Sequence, residues 1–127
     1  MTISYELIAG ITIVVLIFRA FKLTQWYRSN RPHRKPRGYI YYFSDIGQVL
    51  PCVKIGRTNN PSNRLAAHRT GAPLGIFIWI ILPVRNDRVA ETFFHNRYWR
   101  INREWFLLSP GLLFDIIVLH IIKRVLS

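Results

Sequence analysis

Five side chains in the middle of this sequence have the types and spacing to grip a phosphodiester: Tyr41, Lys54, Arg64, His68 and Glu91. Tyr41 belongs to the aromatic run YIYYF and Lys54 to CVKIGRT, both of which read as strands. Strand residues alternate faces, so Tyr39 and Tyr41 share one face and Lys54 and Gly56 share one face of the return strand. Tyr41 and Lys54 are therefore expected to face each other across a hairpin. Arg64 and His68 are four residues apart, on one side of a helix. If that helix lies over the hairpin, a phenol, an ammonium, a guanidinium and an imidazole converge. A guanidinium can fork onto a phosphate and stabilise charge in the transition state. A carboxylate such as Glu91 can hold one Mg²⁺, which also binds phosphate oxygens and waters.

Taken singly, each of these residues has a plainer reading. Tyr41 can be strand packing, Lys54 a solvated strand residue and Arg64 an exposed helix cation. Glu91 can be a surface carboxylate, and His68 and His95 ordinary surface or core histidines. Only their order along the chain raises the functional reading. Cys52 is the one cysteine, so no intrachain disulfide can form, and it reads as a small core residue.

The elements that must position these groups can be read from local signals. YIYYF (39–43) and CVKIGRT (52–58) form a hairpin with SDIGQ in its loop. In NNPSNRLAAHRTG, Asn60 is a helix cap, Pro61 suits the first helical position and Gly71 the exit. IFIWIILPV (76–84) is a continuous apolar run whose length and proline exit favour a buried strand. A further helix starts at Asn86 or Asp87, with Val89, Phe93 or Phe94, and Tyr98 as its inward stripe. A last helix starts at Ser109 and Pro110; only Asp115, His120, Lys123 and Arg124 are there to wet it. Trp105 and Phe106 are expected to close the core. The expected fold is α+β, a small three-stranded antiparallel sheet flanked by helices.

The front of the chain is of another kind. LIAGITIVVLIF (7–18) carries no charge, and Ile3, Tyr5, Ala20, Phe21 and Leu23 extend it toward the length of a membrane span. Arg19 and Lys22 can snorkel to headgroups, and Trp26 and Tyr27 sit where an interfacial belt would be. A cleaved signal peptide fits poorly, because the cations come after the apolar stretch. The net charge is +12, and seven of the 18 cations (Arg19, Lys22, Arg28, Arg31, Arg34, Lys35, Arg37) precede the first strand without an intervening acid. They favour a cytoplasmic side for the domain beyond them, and they can touch anionic lipid. The expected organisation is a hydrophobic, single-pass transmembrane helix over 1–27, a basic linker over 28–37 and a cytoplasmic domain over 38–127. The apolar last helix is expected to pair with the first helix or with another copy of the chain in a homo-oligomer.

The central segment resembles the GIY-YIG nuclease superfamily. YIY (39–41) stands where the family has GIY, KIG (54–56) where it has YIG, Arg64 at the helix arginine, His68 at a common family position and Glu91 at the metal-binding carboxylate. REWF (103–106) resembles the EWF signature of a phage-associated branch, often described as DNA-binding, in which KIG commonly replaces YIG. The resemblance covers roughly residues 38 to 108. It implies one-metal hydrolysis of DNA with Mg²⁺ or Mn²⁺ on Glu91. Tyr41 would position or deprotonate the attacking water, and Arg64 would stabilise the phosphorus centre. Lys54 would contact phosphate or act as a base, with His68 beside them. Arg57, Arg64 and Arg69 would hold nucleic acid. Two departures stand out. Tyr39 occupies the glycine position of GIY, although Gly38 precedes it, and the family's late asparagine has only Asn96 and Asn102 as candidates. The alternatives are a catalytically silent DNA-binding module of the same fold, and a membrane adaptor. No zinc finger or helix-turn-helix is evident, so sequence specificity is not expected from this chain alone.

Overall fold

The computed structural model describes residues 4–33, 35–48, 50–72 and 74–126; Ile3 and Arg34, on which the sequence reading drew, lie outside them. The elements run α1 (Tyr5–Asn30), β1 (Gly38–Asp45), β2 (Cys52–Thr58), α2 (Pro61–Thr70), β3 (Ile76–Val84), α3 (Asp87–His95), β4 (Arg100–Asn102), β5 (Trp105–Leu107) and α4 (Pro110–Leu126). Local capping explains several starts. Asn60 accepts from the Asn63 amide ahead of α2, Asn86 from the Val89 amide ahead of α3, and the Ser109 hydroxyl from the Leu112 amide ahead of α4.

Among the described residues the sheet has five strands, not the expected three, in the order β3-β1-β2-β5-β4, and every pairing is antiparallel. The two extra strands are three residues each, too short to show an alternating pattern. What makes them strands is pairing: Cys52, Val53 and Lys54 of β2 lie opposite Leu107, Phe106 and Trp105 of β5. The segment after Asp87 is accordingly a helix only to His95.

The sheet separates two cores. On one face Ile40, Tyr42, Val53, Ile55, Ile80, Leu82 and Val84 pack against α1, α3 and α4. On the other face Tyr41, Phe43 and Leu65 form a smaller cluster under α2, with Trp105 at its side. Phe106 is fully buried, as expected of it. The inward side of α3 is Ala90 and Phe94, whereas Val89, expected inside, is 52 % exposed. Residue 90 and residue 94 are one helical turn apart, and that spacing selects the buried side.

The first helix belongs to both halves of the molecule. From Tyr5 to Phe18 its large apolar side chains are exposed all round, with only Leu16 partly covered. Its last turns enter the main core. Leu23 is fully buried and Tyr27 nearly so, and Trp26 stacks on Phe93 at a centroid distance of 4.5 Å. Arg19 donates to both carboxylate oxygens of Asp115 on α4, at 2.7 and 2.9 Å. Arg31 donates to the Leu126 carbonyl at 2.7 Å. Residue 19 thus meets residue 115 and residue 31 meets residue 126, so the two helices run side by side in the same direction. Asp115, expected to wet α4, is instead fully buried, because Arg19, Arg97 and Tyr98 all donate to it. The exposed side of α4 carries an apolar row of Leu113, Ile117, Ile121 and Val125, with His120 and Arg124 beside it.

Candidate functional site

The candidate site lies on the α2 side of the sheet. The hairpin register puts Tyr41 opposite Gly56 and Phe43 opposite Lys54. Tyr41 and Lys54 are therefore not directly opposed, contrary to the expectation from alternation, but one step apart on the same face. Alternation fixes the face of a residue, and the length of the hairpin loop fixes its partner. The pairing explains the glycine. The Tyr41 ring lies across Gly56, and a Cβ there would overlap the phenol and its ring. A second close approach occurs at Gly38, where a Cβ would press on the Asp87 side chain at the start of α3.

Tyr41 is fully buried, and Arg64 Nε donates a long 3.5 Å hydrogen bond to its hydroxyl. Burial raises the phenol above its ordinary range, and Arg64 offsets this only in part. The same hydrogen bond holds Arg64 more firmly charged. His68, one turn along α2, packs on Phe43 with ring centroids 4.6 Å apart, and on Tyr41 at 5.9 Å. Desolvation, then the cations of Lys54 and Arg64, lower its pKa, and its Nε2 is shielded from solvent without a hydrogen-bond partner. Lys54 Nζ lies 3.7 Å from Glu104 Oε2 and 5.9 Å from the centre of the Phe43 ring.

Glu91 reaches the same region from the far side of the sheet. It points from α3 toward Arg57, whose Nε is 3.7 Å from Glu91 Oε1 and whose Nη1 is 3.3 Å from Asp87 Oδ2. A cleft of about 430 Å³ opens there, lined by Arg57, Asn59, Arg64, Asp87, Glu91 and Glu104. Arg64 and Glu91, 27 residues apart in sequence by their numbers, so face one space, with Tyr41 beneath Arg64. Lys54 borders the adjoining cavity of about 560 Å³ with Asn102, Arg103 and Glu104. Of the two asparagine candidates, Asn102 therefore lies near the site, while Asn96 ends α3. Arg69 is exposed on α2 and does not line the cleft; five residues on, it sits about 140° round the helix from Arg64.

Glu104 was not among the candidates read from sequence. It borders both cavities, and its charge adds to the burial-driven rise of the Tyr41 pKa and offsets part of the lowering at His68. Arg103 ahead of it has φ 45°, a conformation that side chains rarely adopt, and this turns β4 into β5. The Ile55 amide then donates to the Glu104 carbonyl at 3.0 Å. The signal available in sequence was the acid of EWF and the lysine of KIG, and their nearness depends on the β2–β5 pairing. Asp87 was noted only as a possible cap, yet its carboxylate also borders the cleft.

No curated protein and no solved structure matches the chain. Residues 38–125 match the T5orf172 domain, which takes in the whole sheet, α2, α3 and nearly all of α4. With the match covering more than half of its length, this chain belongs to the T5orf172 domain family, phage-associated modules of DNA-binding or nuclease-like kind.

Proposed function

We propose that this chain is a membrane-anchored endonuclease of GIY-YIG type, cutting DNA phosphodiester bonds in the cleft between α2 and α3. The observation that carries the reading is the meeting of Arg64 and Glu91 in one cleft, with the Tyr41 hydroxyl under the guanidinium. Arg64 has five N–H donors and spends one on Tyr41, so the rest of its fork is free to take phosphate oxygens. Tyr41 holds that fork; burial keeps its phenol protonated, which makes it a positioning group rather than the base. His68 packs behind the site on Tyr41 and Phe43, with its pKa lowered by burial and its Nε2 shielded from solvent, so it backs the phenol rather than lining the cleft. Lys54 and Glu104 set the charge at the edge of the site.

A single divalent cation suits these residues. Among the described residues no group of three or more His, Cys, Asp or Glu side chains is arranged to hold a metal. Mg²⁺, however, is commonly held by one or two carboxylates and keeps several waters. Glu91, with Asp87 and Glu104 on the same cleft, meets that need. Mg²⁺ or Mn²⁺ held by Glu91 would supply Lewis-acid neutralisation of charge on the leaving oxygen.

The membrane reading rests on α1. It contains an 18-residue window, about 27 Å long, and by length and composition the helix is apolar enough to cross a membrane. The cations after it favour the cytoplasmic side for the domain. A second reading, a silent DNA-binding module, is favoured by the pairing of Glu91 with Arg57, which already engages the proposed metal carboxylate.

The test uses the full chain in detergent micelles with supercoiled plasmid and Mg²⁺. Nicking is expected, abolished by chelation and reduced at least about 100-fold in Glu91→Ala and Arg64→Ala, a loss in the range seen for single electrostatic groups. Salt-sensitive binding with no nicking by the wild-type chain would establish the silent reading instead.

A further inference from the structure

We propose that the cavity beside Arg19 and Arg97 is a binding site for the phosphate of an anionic phospholipid headgroup. The inference rests on the reading of α1 as a membrane span. It concerns a different place from the basic segment 28–37 and from the cleft between α2 and α3.

The cavity has a volume of about 420 Å³ and is bounded by Arg19, Arg97, Trp99, Leu108 and Gly111, among others. Three observations converge on its occupant. The first is charge. Two guanidiniums meet one carboxylate, leaving a surplus of one positive charge beside a fully buried Asp115. Asp115 is saturated, with two donors from Arg19, two from Arg97 and one from the Tyr98 hydroxyl. Each guanidinium uses two of its five N–H groups on Asp115; Arg97 is further engaged by the Tyr98 hydroxyl and the Phe93 ring, so the donors left to the cavity come chiefly from Arg19. Gly111 packs under Arg19, where a Cβ would come within 3.2 Å of its Nη2.

The second observation is position. Arg19 is the first charged residue after the uncharged run that ends at Phe18, so a spanning α1 sets this cavity at the level of the headgroups. The third is the wall. Trp99 is 78 % exposed at the mouth, and Leu107 and Leu108 line the side. An exposed indole beside leucines suits the boundary between headgroup and acyl chain, because its ring packs on apolar chains that free phosphate lacks. The Arg19–Asp115–Arg97 group therefore does two things. It docks α1 on α4, and it turns the remaining donors toward a phosphodiester with apolar chains attached.

The experiment is native mass spectrometry of the full chain released from detergent micelles. The micelles are doped separately with dioleoylphosphatidylglycerol, dioleoylphosphatidylcholine or inorganic phosphate. One phosphatidylglycerol per chain is expected, retained at least fivefold over phosphatidylcholine, with no retained phosphate. Trp99→Asp puts a negative charge at an exposed position and should abolish this preference without altering the thermal melt. Arg97→Gln should do the same if it folds, and Trp99→Asp decides the matter if it does not. The double variant Lys35→Gln/Arg37→Gln in the basic segment should leave the preference intact. Equal retention of the two lipids overturns the proposal. So does retained inorganic phosphate, retention unaffected by Trp99→Asp, or a loss confined to the basic-segment variant. Displacement of the lipid by short single-stranded DNA would also overturn it, by assigning the cavity to nucleic acid. Protease protection of the N-terminus in vesicles tests the span separately. Insertion without lipid preference sinks this proposal alone, and failure to insert sinks the membrane reading together with it.

Discussion

Gly56 has to be glycine because the Tyr41 ring occupies the place of its Cβ. Gly56→Ala is therefore expected to destabilise the fold by about 1–3 kcal/mol, the usual cost of overpacking a filled core. It should also detach Arg64, which is held by the same phenol. Denaturant melts of Gly56→Ala, Tyr41→Ala and the double variant check the point. The glycine substitution should cost nothing further once the ring is gone, and equal costs in both backgrounds would show that the overlap is not the cause. At this scale the sequence was legible in residue type and face. Arg64 and His68 do lie on one side of α2, and Tyr41 and Lys54 do share a face. Partners across strands were not legible. The pairing of Tyr41 with Gly56 comes from hairpin register, and the nearness of Glu104 to Lys54 from a left-handed residue at Arg103.

The elements show where local signals end. Asn60, Pro61 and Asn86 mark helix starts through their own chemistry, and the apolar run 76–84 is β3 to the residue. The short strands β4 and β5 carry no such mark, since three residues cannot show a period and only β2 makes them a sheet. The front helix was legible as apolar but not as divided in role. Leu23, Trp26 and Tyr27 look like the end of a span, yet they complete the main core. This division predicts the outcome of truncation. A chain lacking residues 1–18 keeps Arg19, Leu23 and Tyr27 and should fold with a cooperative melt. A chain lacking residues 1–35 loses two core side chains worth about 1.5–3 kcal/mol each. It also removes one partner of buried Asp115. The sum approaches the whole stability of a small domain, about 5–15 kcal/mol. Circular dichroism and gel filtration should then show an unfolded or aggregated product. A well-folded 36–127 fragment would mean that α1 is dispensable to the domain.

Over the whole molecule a charge of +12 draws any polyanion, but the candidate cleft is locally balanced. Arg57 is neutralised by Asp87 and Glu91, and Lys54 lies near Glu104. Arg64 alone among these cations is held by a neutral partner, the Tyr41 phenol. DNA entering the cleft meets Arg64 readily and has to compete with carboxylates for Arg57. The carboxylate needed for metal thus also weakens binding when metal is absent. Glu91→Gln is accordingly expected to tighten DNA binding in chelator by about two- to fivefold, the scale of a half-exposed ion pair, while abolishing nicking in Mg²⁺. Arg64→Gln should weaken binding and reduce the slope of log affinity against log salt by about one, as the loss of one phosphate contact does. Fluorescence anisotropy with a labelled duplex over a salt series reads both effects. The comparison with Lys35 and Arg37 distinguishes a cleft that binds DNA from a basic surface that attracts it at a distance. On such a surface Glu91→Gln and Arg64→Gln would shift affinity only by their single charges, and changing Lys35 or Arg37 would shift it as much as changing Arg64.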